Sequence, residues 1–159
     1  FINITMKDER INLCFPGEQK ILLADGNKID IDSLFIELQK DIPDEYYTWS
    51  MNNKGKFIKN KIISVELIDE TWNILSLNLT NGDILYCTLD QEIGLKTGEF
   101  IGASIFPMDK PILRKDKEDI TIFSKTQANL KKIEKVYLIK LEEDIDNLTL
   151  FNGIVVKTI

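Results

Sequence analysis

Short apolar runs of period two, each closed by a turn carrying glycine, leave this chain little choice but antiparallel sheet. The clearest pair is Asn73 to Leu79 with Ile84 to Leu89, joined at Thr80-Asn81-Gly82-Asp83. Alternation puts Leu75, Leu77 and Leu79 on one face. It sets Ile84, Tyr86 and Thr88 against Leu85, Cys87 and Leu89 on the return strand. An earlier hairpin joins Lys20–Leu23 to Lys28–Ile31 through Ala24-Asp25-Gly26-Asn27, where Asp-Gly is a strong turn signal. Tyr46–Met51, the turn Asn52–Gly55 and Phe57–Ile68 make another. Lys96-Thr97-Gly98-Glu99 turns the chain again. Further strands are expected at Ile120–Phe123 and Val136–Leu141, the latter with Tyr137, Ile139 and Leu141 on one side. Leu148–Phe151 and Ile154–Lys157 flank Asn152-Gly153, which predicts a two-residue type I′ hairpin. One short helix fits, Leu34 to Lys40, capped by Asp32 or Ser33 and ended by Pro43. Residues 108–119 read as a surface loop or insertion. The fold class is all-β.

The chain has 159 residues and no histidine. That removes Ser-His-Asp and Cys-His nucleophile pairs, histidine-liganded metals and the commonest general base at neutral pH. With 26 acidic against 20 basic residues, the net charge is -6. A phosphate-gripping surface needs clustered Lys and Arg, so nucleic acid is not expected as a partner. No stretch is long and apolar enough for a transmembrane helix, and no membrane partner is expected. Two cysteines, Cys14 and Cys87, allow one bridge at most and lack zinc-site spacing. Neither a metal nor any other cofactor is expected. The absence of a signal-peptide pattern favours a cytoplasmic or virion-associated setting over a secreted one. A first residue of Phe1 rather than Met leads us to expect a piece or processed form of a longer protein.

Several segments then fall in a telling order. Cys14-Phe15-Pro16-Gly17-Glu18-Gln19 runs into the Asp25-Gly26 hairpin and Lys28–Leu34. Trp49-Ser50-Met51-Asn52 follows. Asn81-Gly82-Asp83-Ile84-Leu85-Tyr86-Cys87-Thr88-Leu89-Asp90-Gln91 comes next, continued by Lys96–Ala103. Val136-Tyr137 and Asn152-Gly153-Ile154-Val155-Val156 close the series. Together these resemble the blocks of the hedgehog/intein (Hint) family over Cys14 to Thr158. The resemblance implies a compact Hint-type fold of short curved strands over 14–159, with residues 1–13 as a flanking segment. It implies that the rest of a parent polypeptide is the immediate partner. It also assigns Cys14 as the nucleophile that would attack the Leu13 carbonyl, and Thr88 as a polarising group.

The departures bear on chemistry. Gln91 stands where the family's Thr-x-x-His motif has histidine, and Gln19 where a threonine is usual. Leu138 replaces an expected aspartate, and a late histidine would fall near Asp146 or Asn147. Lys157 and Thr158 occupy the terminal His-Asn, and Ile159 the residue that splicing needs as Ser, Thr or Cys. A glutamine donates a hydrogen bond but no proton at neutral pH. Thr158 has no side-chain amide to cyclise. The expected reading is a degenerate, non-splicing domain, kept as a structural or insertion element of a larger protein such as a phage or virus component, with assembly partners. The alternatives are slow single-turnover self-cleavage at Leu13-Cys14, with Asp90 or Lys157 replacing the lost base, and a binding module. Each residue also has a plainer reading: Cys14 and Cys87 as small core hydrophobes, Thr88 as a strand residue, Trp49 and Trp72 as core. The carboxylates Asp30 and Asp32, like Glu142, Glu143, Asp144 and Asp146, read as solvated acidic turns, since they lack calcium-loop spacing.

Overall fold

A computed structural model describes residues 13–71, 74–115, 118–127 and 134–158. Its largest sheet runs β1 (Phe15–Pro16), β11 (Glu134–Leu141), β5 (Phe57–Thr71), β4 (Tyr47–Met51). A second is β10 (Ile122–Gln127), β6 (Ile74–Leu79), β7 (Ile84–Thr88). A third is β12 (Asn147–Thr149), β13 (Val155–Lys157), β8 (Glu92–Gly94), β9 (Phe100–Gly102), and β2 (Lys20–Leu22) pairs with β3 (Lys28–Asp30). All these pairings are antiparallel. The long strand β5 changes partner along its length. It pairs with β4 through Lys61 and with β11 from Ile62 onward, so one strand joins two pairings end to end.

Alternation sorts the apolar side chains into two clusters. Leu75, Leu77 and Leu79 of β6 pack in the main core with Phe15, Leu85 and Cys87. Burying each such aliphatic side chain contributes roughly 1.5–3 kcal/mol. On β11, Tyr137, Ile139 and Leu141 enter that core, while Val136 and Leu138 face the other way. There they meet Cys14 and Ile74, with Leu13, Ile68 and Tyr86 alongside. Both faces of β11 are therefore buried, and Cys14 sits in the smaller cluster.

Five hairpins close in the same manner, at the turns expected from the residues. In the last, Gly153 N–H donates to Leu150 O (2.8 Å), and Leu150 N–H donates to Ile154 O (2.8 Å). Only Gly153 takes a left-handed φ, 82°. This is a three-residue loop with a bulge at glycine, not the two-residue type I′ turn expected. The hairpins at Gly26, Gly55, Gly82 and Gly98 repeat the pattern.

Other boundaries move. The helix α1 spans Ile31–Glu37, beginning three residues before Leu34 and ending well before Pro43. Its cap is Asp30, without a side-chain cap bond, and Ser33 Oγ instead donates to the Asp30 carboxylate (2.8 Å). The helix starts directly from β3 because Ile31 and Asp32 N–H donate to Gln19 O (3.0 Å) and Gly17 O (2.9 Å). Two of the donors that a helix N-terminus leaves open are thereby satisfied. The strand expected at Ile120–Phe123 lies instead at Ile122–Gln127, where it pairs with β6. Within 108–119 no described residue joins a helix or strand, yet Ile112 is buried and bridges Leu95, and Arg114 bridges Ile154. That segment is tied into the fold rather than lying over it. Trp49 is only half-buried, because β4 turns Thr48 and Ser50 inward. Trp72 lies outside the described residues. Cys87 is a core residue, and no bridge joins it to Cys14.

Candidate active site

Cys14 immediately precedes β1, whose register sets Phe15 opposite Tyr137 and Pro16 opposite Val136. Its side chain is wholly buried beside Ile74, Val136 and Leu138. None of those three can accept a proton from the thiol. Leu138, at the position where the resemblance expects aspartate, is part of that apolar wall.

Thr88 ends β7 and is also buried. Its hydroxyl donates to Cys14 O at 3.3 Å. That carbonyl follows the thiol-bearing residue, whereas an acyl shift at Leu13-Cys14 acts on the carbonyl before it. Gln19, where a threonine was expected, is a tie between strands. Its Oε1 accepts from Tyr86 N–H (3.1 Å) and its Nε2 donates to Lys20 O (3.2 Å).

A tight turn carries the chain from Thr88 to Gln91, with Gln91 N–H donating to Thr88 O (3.1 Å). This turn points Gln91 inward, fully buried, and leaves Asp90 exposed. The structure does not bring Asp90 to the other residues, so it is poorly placed to replace the lost base. Gln91 Nε2 donates to Lys157 O (2.8 Å) and to Glu92 O (3.1 Å). Its Oε1 is buried and has no hydrogen-bond partner. An orphaned buried acceptor costs about 1–3 kcal/mol. Gln91 thus binds the β13 backbone as a donor while carrying an acceptor nothing uses.

The C-terminal side of the cleft is also tied down. Lys157 sends its ammonium outward to Asp146 (3.0 Å) and over the Phe100 ring, 4.9 Å from its centroid. Thr158 is buried; its N–H donates to Asp146 O (2.7 Å) and its hydroxyl to Ile139 O. Cys14, Thr88, Gln91, Lys157 and Thr158 therefore form one continuous chain of contacts, closed through Leu138 and Ile139 of β11. The Lys157 ammonium faces away from it.

One arrangement was missed by residue reasoning. Thr48, Ser50, Asn60, Asn147 and Thr149 form a buried polar seam between β4, β5 and β12. Ser50 Oγ donates to Asn147 O (2.7 Å) and accepts from Asn60 Nδ2 (3.0 Å). Asn147, near the position of the family's late histidine, clips onto Met51, accepting from its N–H (2.7 Å) and donating to its O (2.9 Å). The available signal was Thr-Trp-Ser-Met in β4, which alternates polar and apolar residues and permits either face inward.

No family model matches the chain. Among curated proteins it is similar to a DNA gyrase subunit from Synechocystis sp. PCC 6803, 24% identical over 116 residues. That alignment takes 69% of this chain and spans only 11% of the relative. The solved structures it resembles are more uniform. The DnaB intein from Synechocystis sp. PCC 6803 matches with TM-score 0.73 and 20% identity, over 92% of this chain and 99% of that one. The bacterial intein-like domain from Clostridium thermocellum gives 0.75 and 18%, again over 92% and 99%. The TvoVMA intein gives 0.73 and 17%, over 90% and 95%. The fold of this chain is that of an intein-like Hint domain.

Proposed function

We propose that this domain has lost protein splicing and persists as a structural or inserted domain of a larger polypeptide, whose remaining chain is its principal partner. The observation that carries the reading is Gln91. It is fully buried, its amide donates to the Lys157 carbonyl, and no histidine exists in the chain to supply a proton there. Losing a general acid or base typically costs about 10²–10⁴ in rate, or roughly 3–5 kcal/mol of barrier. Two further features support it. Thr158 lacks an amide to cyclise and spends its hydroxyl on Ile139 O. The Cys14 thiol lies among Ile74, Val136 and Leu138. A phage or virus particle is one setting in which such a domain would serve as an assembly element.

The competing reading is a slow acyl shift at Leu13-Cys14, favoured by Thr88 lying one peptide unit from the scissile carbonyl, on the Cys14 carbonyl. Intact mass separates the two. The chain with an N-terminal extension is incubated with and without dithiothreitol or hydroxylamine, beside Cys14→Ala. The expected result is an unchanged mass over days in both proteins. A product cut between Leu13 and Cys14 that disappears in Cys14→Ala would overturn the proposal.

A further inference from the structure

The residues that keep Cys14 in place include two, Asp32 and Tyr137, to which no role has been assigned. Gly17 O accepts from Asp32 N–H (2.9 Å) and Gln19 O from Ile31 N–H (3.0 Å), so the segment after Cys14 rests on the first turn of α1. The Asp32 side chain fills the space beside Gly17. A Cβ at that position would overlap its carboxyl group, and the three nearest atoms all belong to Asp32. Gly17 does not have a left-handed φ, so the glycine is there for room rather than for backbone freedom. Tyr137 lies opposite Phe15 in the β1–β11 pairing and is almost wholly buried. The Asp32 carboxylate lies close enough to its hydroxyl to help hold the proton there. Its ring packs on Phe35 of α1 at 5.1 Å between centroids. The neighbours of Tyr137 along β11, Val136 and Leu138, line the Cys14 cluster.

We propose that Asp32 and Tyr137 are positioning residues that latch the Cys14–Gly17 segment to α1 and β11, and that this latch keeps the Cys14 thiol closed to solvent. The Phe35–Tyr137 ring contact and the neighbouring Asp32 carboxylate join the helix to the strand that walls the thiol. One glycine lets the segment lie against the carboxylate. The inference is independent of whether Leu13-Cys14 can be cleaved, because it concerns access to the thiol and not its reactivity toward a carbonyl.

The test is N-ethylmaleimide labelling of the whole domain under native conditions, with Cys14 and Cys87 read separately by peptide mass mapping. Cys87 lies in the main core and reports global opening; Cys14 reports the latch. Tyr137→Phe keeps the ring and removes the hydroxyl. It is expected to raise Cys14 labelling about tenfold with Cys87 unchanged, the factor equivalent to ~1.4 kcal/mol. Asp32→Ala should do the same, and Asp32→Asn less, since it retains an acceptor. Gly17→Ala should also open Cys14, but it should add little on top of Asp32→Ala, because the three atoms nearest the new Cβ all belong to that side chain. Labelling of Cys14 and Cys87 rising in parallel would overturn the proposal. So would Gly17→Ala that is silent, or that adds in full to Asp32→Ala.

Discussion

Ser50→Ala removes one oxygen from the interior and leaves two other groups stranded. The Ser50 side chain is fully buried. Its hydroxyl donates to the Asn147 carbonyl at 2.7 Å and accepts from Asn60 Nδ2 at 3.0 Å. Asn60 has a second commitment, since its Oδ1 accepts from Glu143 N–H (2.9 Å), so it cannot swing away to find a new acceptor for its amide. Each buried group left without a partner costs about 1–3 kcal/mol. The expected destabilisation is therefore roughly 2–6 kcal/mol, a large share of the ~5–15 kcal/mol that holds a domain of this size. With a urea m-value of about 2 kcal/mol/M, the midpoint should fall by about 1–3 M at unchanged slope. Thr48→Val preserves shape and chiefly strands the Leu22 carbonyl, bonded at 2.8 Å, the contact to Thr149 O being long at 3.5 Å. Its cost should be about half as large. Ser104→Ala, at an exposed position in a single 3-10 turn of helix, should stay within about 0.5 kcal/mol. A midpoint for Ser50→Ala no lower than that of Ser104→Ala would refute the claim that the seam holds β4 against β12.

Two further outcomes concern buried ionisable groups and a strained turn. Burial pushes the Cys87 thiol from 9.0 up to about 12, and burial together with Asp32 pushes the Tyr137 hydroxyl from 10.0 up to about 12. Both groups hold their protons more tightly when folded, so their stabilisation is complete below pH 9 and is lost as pH rises toward 12. Urea midpoints should therefore decline between pH 9 and 11, by up to ~1.4 kcal/mol per pH unit per group, and Cys87→Ala should flatten the onset; a level profile in both proteins would refute the assignment. Gly153→Ala forces a side chain onto a φ of 82° and should cost about 1–2 kcal/mol by thermal melt, with Gly153→Asn costing less because asparagine tolerates that region. Equal losses for Ala and Asn would point to some cause other than backbone strain.

The turns were legible because their chemistry is local. Asp25-Gly26, Asn81-Gly82 and Asn152-Gly153 announce a reversal within four residues, whatever surrounds them. Their closing geometry was not legible, since whether Leu150 joins Ile154 in the ladder depends on strands elsewhere. The start of α1 was misjudged because its first donors are satisfied by Gly17 and Gln19 carbonyls, and no side-chain signal marks that. In β4 the usual rule that tryptophan faces inward failed, because Thr48 and Ser50 have buried partners in β5, β12 and the β2–β3 hairpin. In the candidate site, Cys14, Thr88, Gln91 and Thr158 were placed together from residue order and the resemblance. Alternation alone sets Asp90 on the face opposite Gln91, and the turn at Thr88–Gln91 keeps that division, Gln91 entering the interior and Asp90 left exposed. The Asp32–Tyr137 pair links residues distant in sequence, and no local pattern encodes it.

The contacts that bury Cys14 have a bearing on the order in which the chain acquires structure. The five glycine turns close small loops, whose entropy cost is low and whose hairpins form on the scale of microseconds. The walls around Cys14 come from β6 and β11, and its partner strand β11 arrives only after most of the chain. Such long-range pairing is slow. During synthesis from the N-terminus, Cys14 emerges first and β11 among the last elements. A thiol that is sealed in the folded domain is thus open to oxidants, small thiols and alkylating agents for the whole interval before β11 docks.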